Sequence, residues 1–167
     1  MYATNVSGTW GTSTVDRTGG RGQYTSIAVG TSGAAYISYY DWSSANLMYA
    51  TNASGAWETT TVDREGLTGL YASIAVGTSG AAYISYYDST PARDLRYATN
   101  VGGTWETTTV DSTTSANTGQ YTSIAVGMSG VVYISYYDAT NGNLMYATTA
   151  LPTVTTGAAS NVTTNSA

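Results

Sequence analysis

Cysteine, histidine, phenylalanine and lysine are all missing from this 167-residue chain, and proline occurs twice. Without cysteine there is no disulfide framework and no thiolate metal site. With histidine also missing, the usual zinc ligand sets and the Ser-His-Asp and Cys-His nucleophile arrangements are excluded. Charge is scarce as well: 9% of residues are charged, and five arginines face ten acids for a net charge of −5. That balance repels a phosphate backbone and no basic patch overrules it, so nucleic acid is not an expected partner. Apolar runs are only a few residues long, so neither membrane insertion nor a signal peptide is legible within these residues. No motif implies a cofactor.

What the chain has instead is tyrosine, glycine, threonine and serine, arranged in a repeat. Tyr-Ala-Thr recurs at Tyr2, Tyr49, Tyr97 and Tyr146, at spacings of 47, 48 and 49 residues, and Ser-Ile-Ala-Val-Gly starts at Ser26, Ser73 and Ser123. Helical arrays of similar period need apolar positions at i, i+3 and i+4, which are absent here. Each unit instead holds four short strand-like runs, and four strands per unit is the mark of a propeller blade. In the middle unit, strand A is Ser73–Val76 and strand B runs over 82–87, with a tight turn at Gly77-Thr78-Ser79-Gly80 between them. Strand C is Leu95–Thr99, and the polar strand D at 105–110 suits an outer edge. Glycine at both ends of the A–B turn is expected to supply positive φ. Strand A, apolar at nearly every position, is expected to be covered on both faces.

The expected architecture is all-β, a partial β-propeller. It forms an open arc of about three four-stranded antiparallel blades plus an incomplete terminal blade, some 13 strands in all. The chain starts within strand C of a half blade (1–23), followed by units at 24–70, 71–120 and 121–150. A propeller needs roughly 4 to 8 blades to close, so completion by further blades of a longer chain, or by self-association, is expected. The mid-repeat start favours the longer ring.

The motif SIAVG-x-SG-x-x-YISYYD, over residues 1 to about 150, resembles β-propeller repeats of bacterial secreted or surface proteins. The run from Leu151, marked off by Pro152, resembles the opening of a fibronectin-type-III-like module, so 151–167 reads as a linker or the start of such a domain. The resemblance implies an extracellular or cell-surface location and no particular activity. Related repeats often carry Asp in the A–B turn, whereas Gly30-Thr31-Ser32-Gly33 and its equivalents have none, and the sialidase-type Asp box is missing too.

Blade topology puts the B–C and D–A connections on one face of the arc and the A–B and C–D turns on the other. The A–B and C–D turns barely vary, so sequence variation gathers on the B–C/D–A face, where a rigid scaffold most often carries binding loops. Six carboxylates reach that rim: Asp41, Asp88 and Asp138 from B–C loops, and Asp16, Asp63 and Asp111 from D–A loops. Capping of turns is the simpler reading of each, and no D-x-D-x-D-G spacing supports calcium. Near-equivalent acids also fit poorly with the split pKa values that glycoside hydrolysis needs. Trp42, Arg93 and Asp94 depart from the repeat and are the better ligand-binding candidates, Trp42 by stacking on a sugar ring or, equally well, by folding onto the next blade. One tyrosine of each pair, Tyr39-Tyr40, Tyr86-Tyr87 and Tyr136-Tyr137, is expected between blades. Trp10, Trp57 and Trp105 share one repeat position and are expected to seal the blade edge. Asn5-Val6-Ser7, Asn52-Ala53-Ser54 and Asn161-Val162-Thr163 match the glycosylation sequon; the first two lie in the C–D turn, where asparagine serves the hairpin equally well. The reading of the whole is a non-enzymatic interaction or scaffold module with a glycan or protein ligand. A lectin-like propeller is the alternative, and part of a polysaccharide-cleaving enzyme comes last.

Overall fold

The computed structural model of the chain describes residues 1–90, 92–112 and 117–149. The 151–167 segment, with Pro152 and Asn161, lies outside the described residues, as does Pro91. The strands are β1 (Tyr2–Thr4), β2 (Gly11–Ser13), β3 (Arg21–Val29), β4 (Ala35–Asp41), β5 (Asn46–Thr51), β6 (Glu58–Asp63) and β7 (Thr68–Val76). They continue with β8 (Ala82–Asp88), β9 (Asp94–Thr99), β10 (Glu106–Asp111), β11 (Thr118–Val126), β12 (Val132–Asp138) and β13 (Asn143–Thr148). Each sheet is an antiparallel meander in chain order: β1-β2, β3-β4-β5-β6, β7-β8-β9-β10 and β11-β12-β13. Adjacent first strands, β3 with β7 and β7 with β11, lie side by side at the centre. Tyrosine, isoleucine and threonine on consecutive strands suit these pleated surfaces, and sheets stacked around a common centre are the blades of a partial propeller.

The hydrophobic core is divided among the interfaces between successive blades. Ile37, Tyr39 and Met48 pack with Tyr2, Val15 and Trp57 at the first interface. Tyr49 and Leu47 meet Ile74, Ile84 and Tyr86 at the second, and Tyr83 and Leu95 meet Ile124, Ile134 and Tyr136 at the third. Strand B, not strand A, is the fully buried one: every residue of β4 and β8 is buried, whereas β3, β7 and β11 are only partly covered. Strand B is flanked by A and C within its own sheet and by blades on its faces, while strand A borders the centre of the arc.

Strand A is also longer than the sequence suggests, nine residues with two register shifts against strand B. The shifts occur at Gly-x-Tyr, where Gly69 has φ +100° and Tyr71 φ +53°, and the same pattern recurs at Gly22 and Tyr24 and at Gly119 and Tyr121. A bulky residue in the left-handed region is uncommon; here it forms part of a β-bulge. The two glycines of the A–B turn serve different ends. Gly80 takes φ +85°, but Gly77 does not have positive φ; a Cβ there would lie 3.0 Å from the Tyr83 ring. In the C–D turn, Asn52 and Asn100 accept the N–H of Ala35 and Ala82 through Oδ1, both at 2.7 Å, tying the turn back to strand B.

Candidate functional site

The rim of the B–C/D–A face is built outward from strand ends. At the head of each B–C loop the aspartate closes the turn upon itself. Asp41 accepts from Ser43 N–H, the Ser43 and Ser44 hydroxyls and Arg21 Nε. Asp88 accepts from Thr90 N–H, and Asp138 from Thr140 N–H, Asn141 N–H and Asn141 Nδ2. Serine, threonine and asparagine two or three residues after an aspartate are the expected partners of such a turn.

At the end of strand D the aspartates do something else. Asp16, Asp63 and Asp111 each accept from the first tyrosine of the following blade's pair, Tyr39 at 2.8 Å, Tyr86 at 2.6 Å and Tyr136 at 2.8 Å. This Tyr–Asp contact recurs three times and spans every interblade step among the described residues. Sequence reasoning placed one tyrosine of each pair between blades without saying which; it did not pair that tyrosine with the acids, although the two motifs recur together in every unit.

Two arginines enter the rim from different strands. Arg21, on β3, bridges Asp16 at 2.8 Å and Asp41 at 2.9 Å. Arg96, on β9, reaches Asp63 at 3.2 Å, Asp88 at 3.7 Å and Glu65 at 3.8 Å. Burial pushes the Asp16 carboxyl upward, but Arg21, the Thr18 N–H and Tyr39 outweigh it and hold the pKa at about 2. Asp41 is likewise held well below the carboxylate range, its burial overcome by the two serines and Arg21. Burial raises Asp88 in spite of Thr90 and Arg96, and burial together with Asp111 raises Asp94. Tyr39, Tyr86 and Tyr136 are raised by burial and by the carboxylates they donate to. No group of three or more acids among the described residues is arranged to hold a metal ion.

Trp42 and Arg93 stand apart from these networks. Trp42 is 68% exposed on the loop between β4 and β5, its backbone N–H donating to Gly20 O; the ring does not fold onto the next blade. Arg93 is exposed at φ +64°, and its carbonyl accepts the Thr118 N–H of the next blade. Asp94 is half-buried beside it. The loops carrying Trp42 and Arg93 belong to neighbouring blades. A residue with positive φ recurs at the Arg93 position, as Ala45 at φ +59° and Gly142 at φ +73°.

The inner edge of the arc carries a further feature that sequence reasoning missed. Tyr24, Tyr71 and Tyr121 line up from blade to blade, with ring centroids 5.1 Å and 4.5 Å apart. Each also meets the second tyrosine of its own blade's pair, at 6.2, 6.1 and 6.3 Å. Burial and the neighbouring Tyr121 push the Tyr71 hydroxyl up to about 12. The recurring Gly-x-Tyr triplet ahead of strand A was the available signal.

No family model matches the chain, and no curated protein matches it. Among solved structures, that of a fucose lectin from Kordia zhangzhouensis in complex with methyl-fucoside is similar, with a TM-score of 0.52 over 74% of this chain and 90% of that one, at 14% identity. At that identity the likeness is one of fold, an all-β assembly of antiparallel sheets.

Proposed function

We propose that the chain is a non-enzymatic binding module of the extracellular space or cell surface that takes its ligand on the B–C/D–A face. The observation that carries this reading is the division of labour on the rim. The acids from which a catalytic pair would be drawn are committed to turns and interblade contacts, while Trp42 and Arg93 are presented to solvent on neighbouring loops. Asp94, Asp41, Asp88, Asp138, Asp63 and Asp111 then shape and support the loops around them. A glycan is the favoured ligand class, because an exposed indole offers a flat apolar face to a sugar ring and guanidinium donors match hydroxyl acceptors. That the similar fold belongs to a fucose lectin supports the same class. A scaffold role with a protein ligand on this face is the second reading, favoured by the scarcity of charge.

A glycan array combined with a hydrolase assay separates these readings. Retention without turnover is the expected result; turnover sinks the proposal, and the absence of any glycan retention leaves the scaffold reading. The double substitution Trp42→Ala/Arg93→Ala should weaken retention at least tenfold, whereas changes in the Gly77–Gly80 turn should alter stability alone. Loss of retention from the turn changes in a folded protein would place the ligand on the opposite face.

A further inference from the structure

The interblade contacts in this chain are assembled from recurring parts. The leucine that opens strand C lies against the glycine of the next blade's strand A. A Cβ on Gly69 would stand 2.8 Å from Leu47 Cα, and one on Gly119 2.6 Å from Leu95 Cα. Both leucines are 0% exposed. A strand-A serine hydroxyl accepts an N–H from the next strand A, Ile74 to Ser26 at 3.2 Å and Ile124 to Ser73 at 3.3 Å. A strand-D tryptophan stands edge-on to the strand-C tyrosine of the blade before it, Trp57 on Tyr2 at 5.2 Å and Trp105 on Tyr49 at 5.0 Å.

The two ends of the arc display the two halves of that contact without a partner among the described residues. At one end Leu144 is 82% exposed, although its counterparts Leu47 and Leu95 are fully covered. At the other, a Cβ on Gly22 would meet nothing within 4 Å, and Ile27 is 53% exposed. Between the last two blades, where Trp57 and Trp105 sit at the earlier interfaces, there is a groove of about 350 Å³ at Tyr97, walled by Val110, Val132 and Ala147. Trp10, which holds the repeat position of Trp57 and Trp105, is 73% exposed. Finally, Met145-Tyr146-Ala147-Thr148 on β13 repeats Met1-Tyr2-Ala3-Thr4, whose Tyr2, Ala3 and Thr4 pair with Ser13, Thr12 and Gly11 of β2.

We propose that these ends meet in a second copy of the chain, head to tail. The Leu144 face of one copy docks on the Gly22 and Ile27 face of the next. The outer edge of β13 takes the place of the other copy's β1 on β2, in the register Tyr146 to Ser13, Ala147 to Thr12 and Thr148 to Gly11. That register brings the second copy's Trp10 into the groove at Tyr97 and sets Tyr146 beneath its Trp57, so every part of the internal contact is reproduced. Such a contact is heterologous, and heterologous contacts close into a ring when the rotation allows. Two copies of the described residues, each with the three first strands β3, β7 and β11, give six blades, within the range of roughly 4 to 8 over which propellers close.

Light scattering coupled to size exclusion tests this on the 167-residue chain. The expected species is discrete and has twice the 17.3 kDa chain mass. Leu144→Arg and Ile27→Arg each spoil one half of the contact at an exposed position, so each variant should be folded and monomeric. Their mixture retains one intact pair of faces and should regain a 1:1 complex. Tryptophan emission should shift to the blue as the native protein associates, and Trp10→Ala should remove most of that shift. A monomeric native chain, a polydisperse series of masses, a single variant that stays dimeric, a mixture without rescue, or a blue shift that survives Trp10→Ala each overturns the proposal.

Discussion

The first and second complete blades solve one electrostatic problem with different residues. In each interface a D–A aspartate and a B–C aspartate stand next to a tyrosine hydroxyl: half-buried Asp16 and buried Asp41 with Tyr39 in the first, buried Asp63 and Asp88 with Tyr86 in the second. Two carboxylates taken out of water need a cation. In the first interface it comes from β3 as Arg21, where the second unit has Thr68. In the second it comes from β9 as Arg96, where the first unit has Met48. The repeat therefore fixes where charge must be balanced and leaves open which strand balances it. The donor's origin also affects how well the acids are served. Arg21 helps hold Asp16 and Asp41 below the usual carboxylate range, while Asp88 remains raised beside Arg96, whose nearest approach to it is 3.7 Å.

The strongest way to break this comparison is to remove the more deeply placed cation. Arg96→Met, which gives the second unit the residue of the first, leaves Asp63 and Asp88 without their guanidinium and should cost about 3–5 kcal/mol, as breaking a buried pair does. The reciprocal exchange sharpens it. Arg21→Thr should destabilise the first interface, and Arg21→Thr/Met48→Arg should recover most of that loss by supplying the cation from strand C. Urea unfolding of the four proteins measures both effects. If the double variant is no more stable than Arg21→Thr alone, the two routes are not interchangeable.

Much of the frame behind that comparison is legible in the sequence, because the period and the turn residues recur and each recurrence reinforces the others. The four-strand unit, the antiparallel order and the split into a uniform and a variable face all follow from local patterns. The rim chemistry is less legible. Arg21 and Arg96 occupy unrelated positions in the repeat, so alignment of the units presents each as an isolated exception, and only the folded sheets bring both onto the same kind of acid pair. The bulge at Gly-x-Tyr is hidden for another reason: a tyrosine at φ +53° contradicts the local preference of its side chain, and the surrounding strand pairing prevails. Trp10 shows a similar limit. Its sequence position equals that of Trp57 and Trp105, yet it is exposed, because a strand-D tryptophan is covered by the blade before it.

A smaller effect is expected on acidification, with opposite signs in the two interfaces. The Asp16 pKa is depressed in the fold, so its contribution is present above the unfolded value near 3.9 and is lost as pH falls through about 2. The Asp16 side chain is 11% exposed, and the shift corresponds to a loss of up to roughly 2 kcal/mol. Asp88 is raised, so its effect runs the other way: the fold is favoured below the unfolded pKa, and that advantage disappears as pH rises through the folded value. Between about pH 4 and pH 2 the unfolding free energy should therefore fall less steeply in Asp16→Asn than in the native protein, whereas Asp88→Asn should steepen the fall on acidification above about pH 4, between the raised folded value and the unfolded one. Equal changes of slope in the two variants would show that the interfaces titrate alike.

The smallest expected effect concerns a hydroxyl that one interface satisfies and its neighbour does not. Ser85 on β8 shares a 2.8 Å hydrogen bond with Thr122 of the following blade, and that threonine hydroxyl also lies 3.1 Å from Tyr71 O and 3.2 Å from Ser85 O. Ser38 occupies the same place on β4 and is fully buried, but its Oγ has no hydrogen-bond partner among the described residues, because Ala72 stands where the next unit has Thr122. A buried hydroxyl left unpaired costs more than a paired one contributes. Ala72→Thr supplies the partner in a backbone setting that already accepts threonine at the following interface, so it should stabilise the protein by about 1 kcal/mol. Ser38→Ala should also be neutral or mildly stabilising, since it deletes the orphan group, whereas Ser85→Ala should destabilise. A shift in the urea midpoint to higher concentration for Ala72→Thr, abolished when Ser38→Ala is added, would attribute the gain to that one hydrogen bond. Equal stabilisation by Ala72→Thr with and without Ser38 would mean that the threonine acts through packing alone.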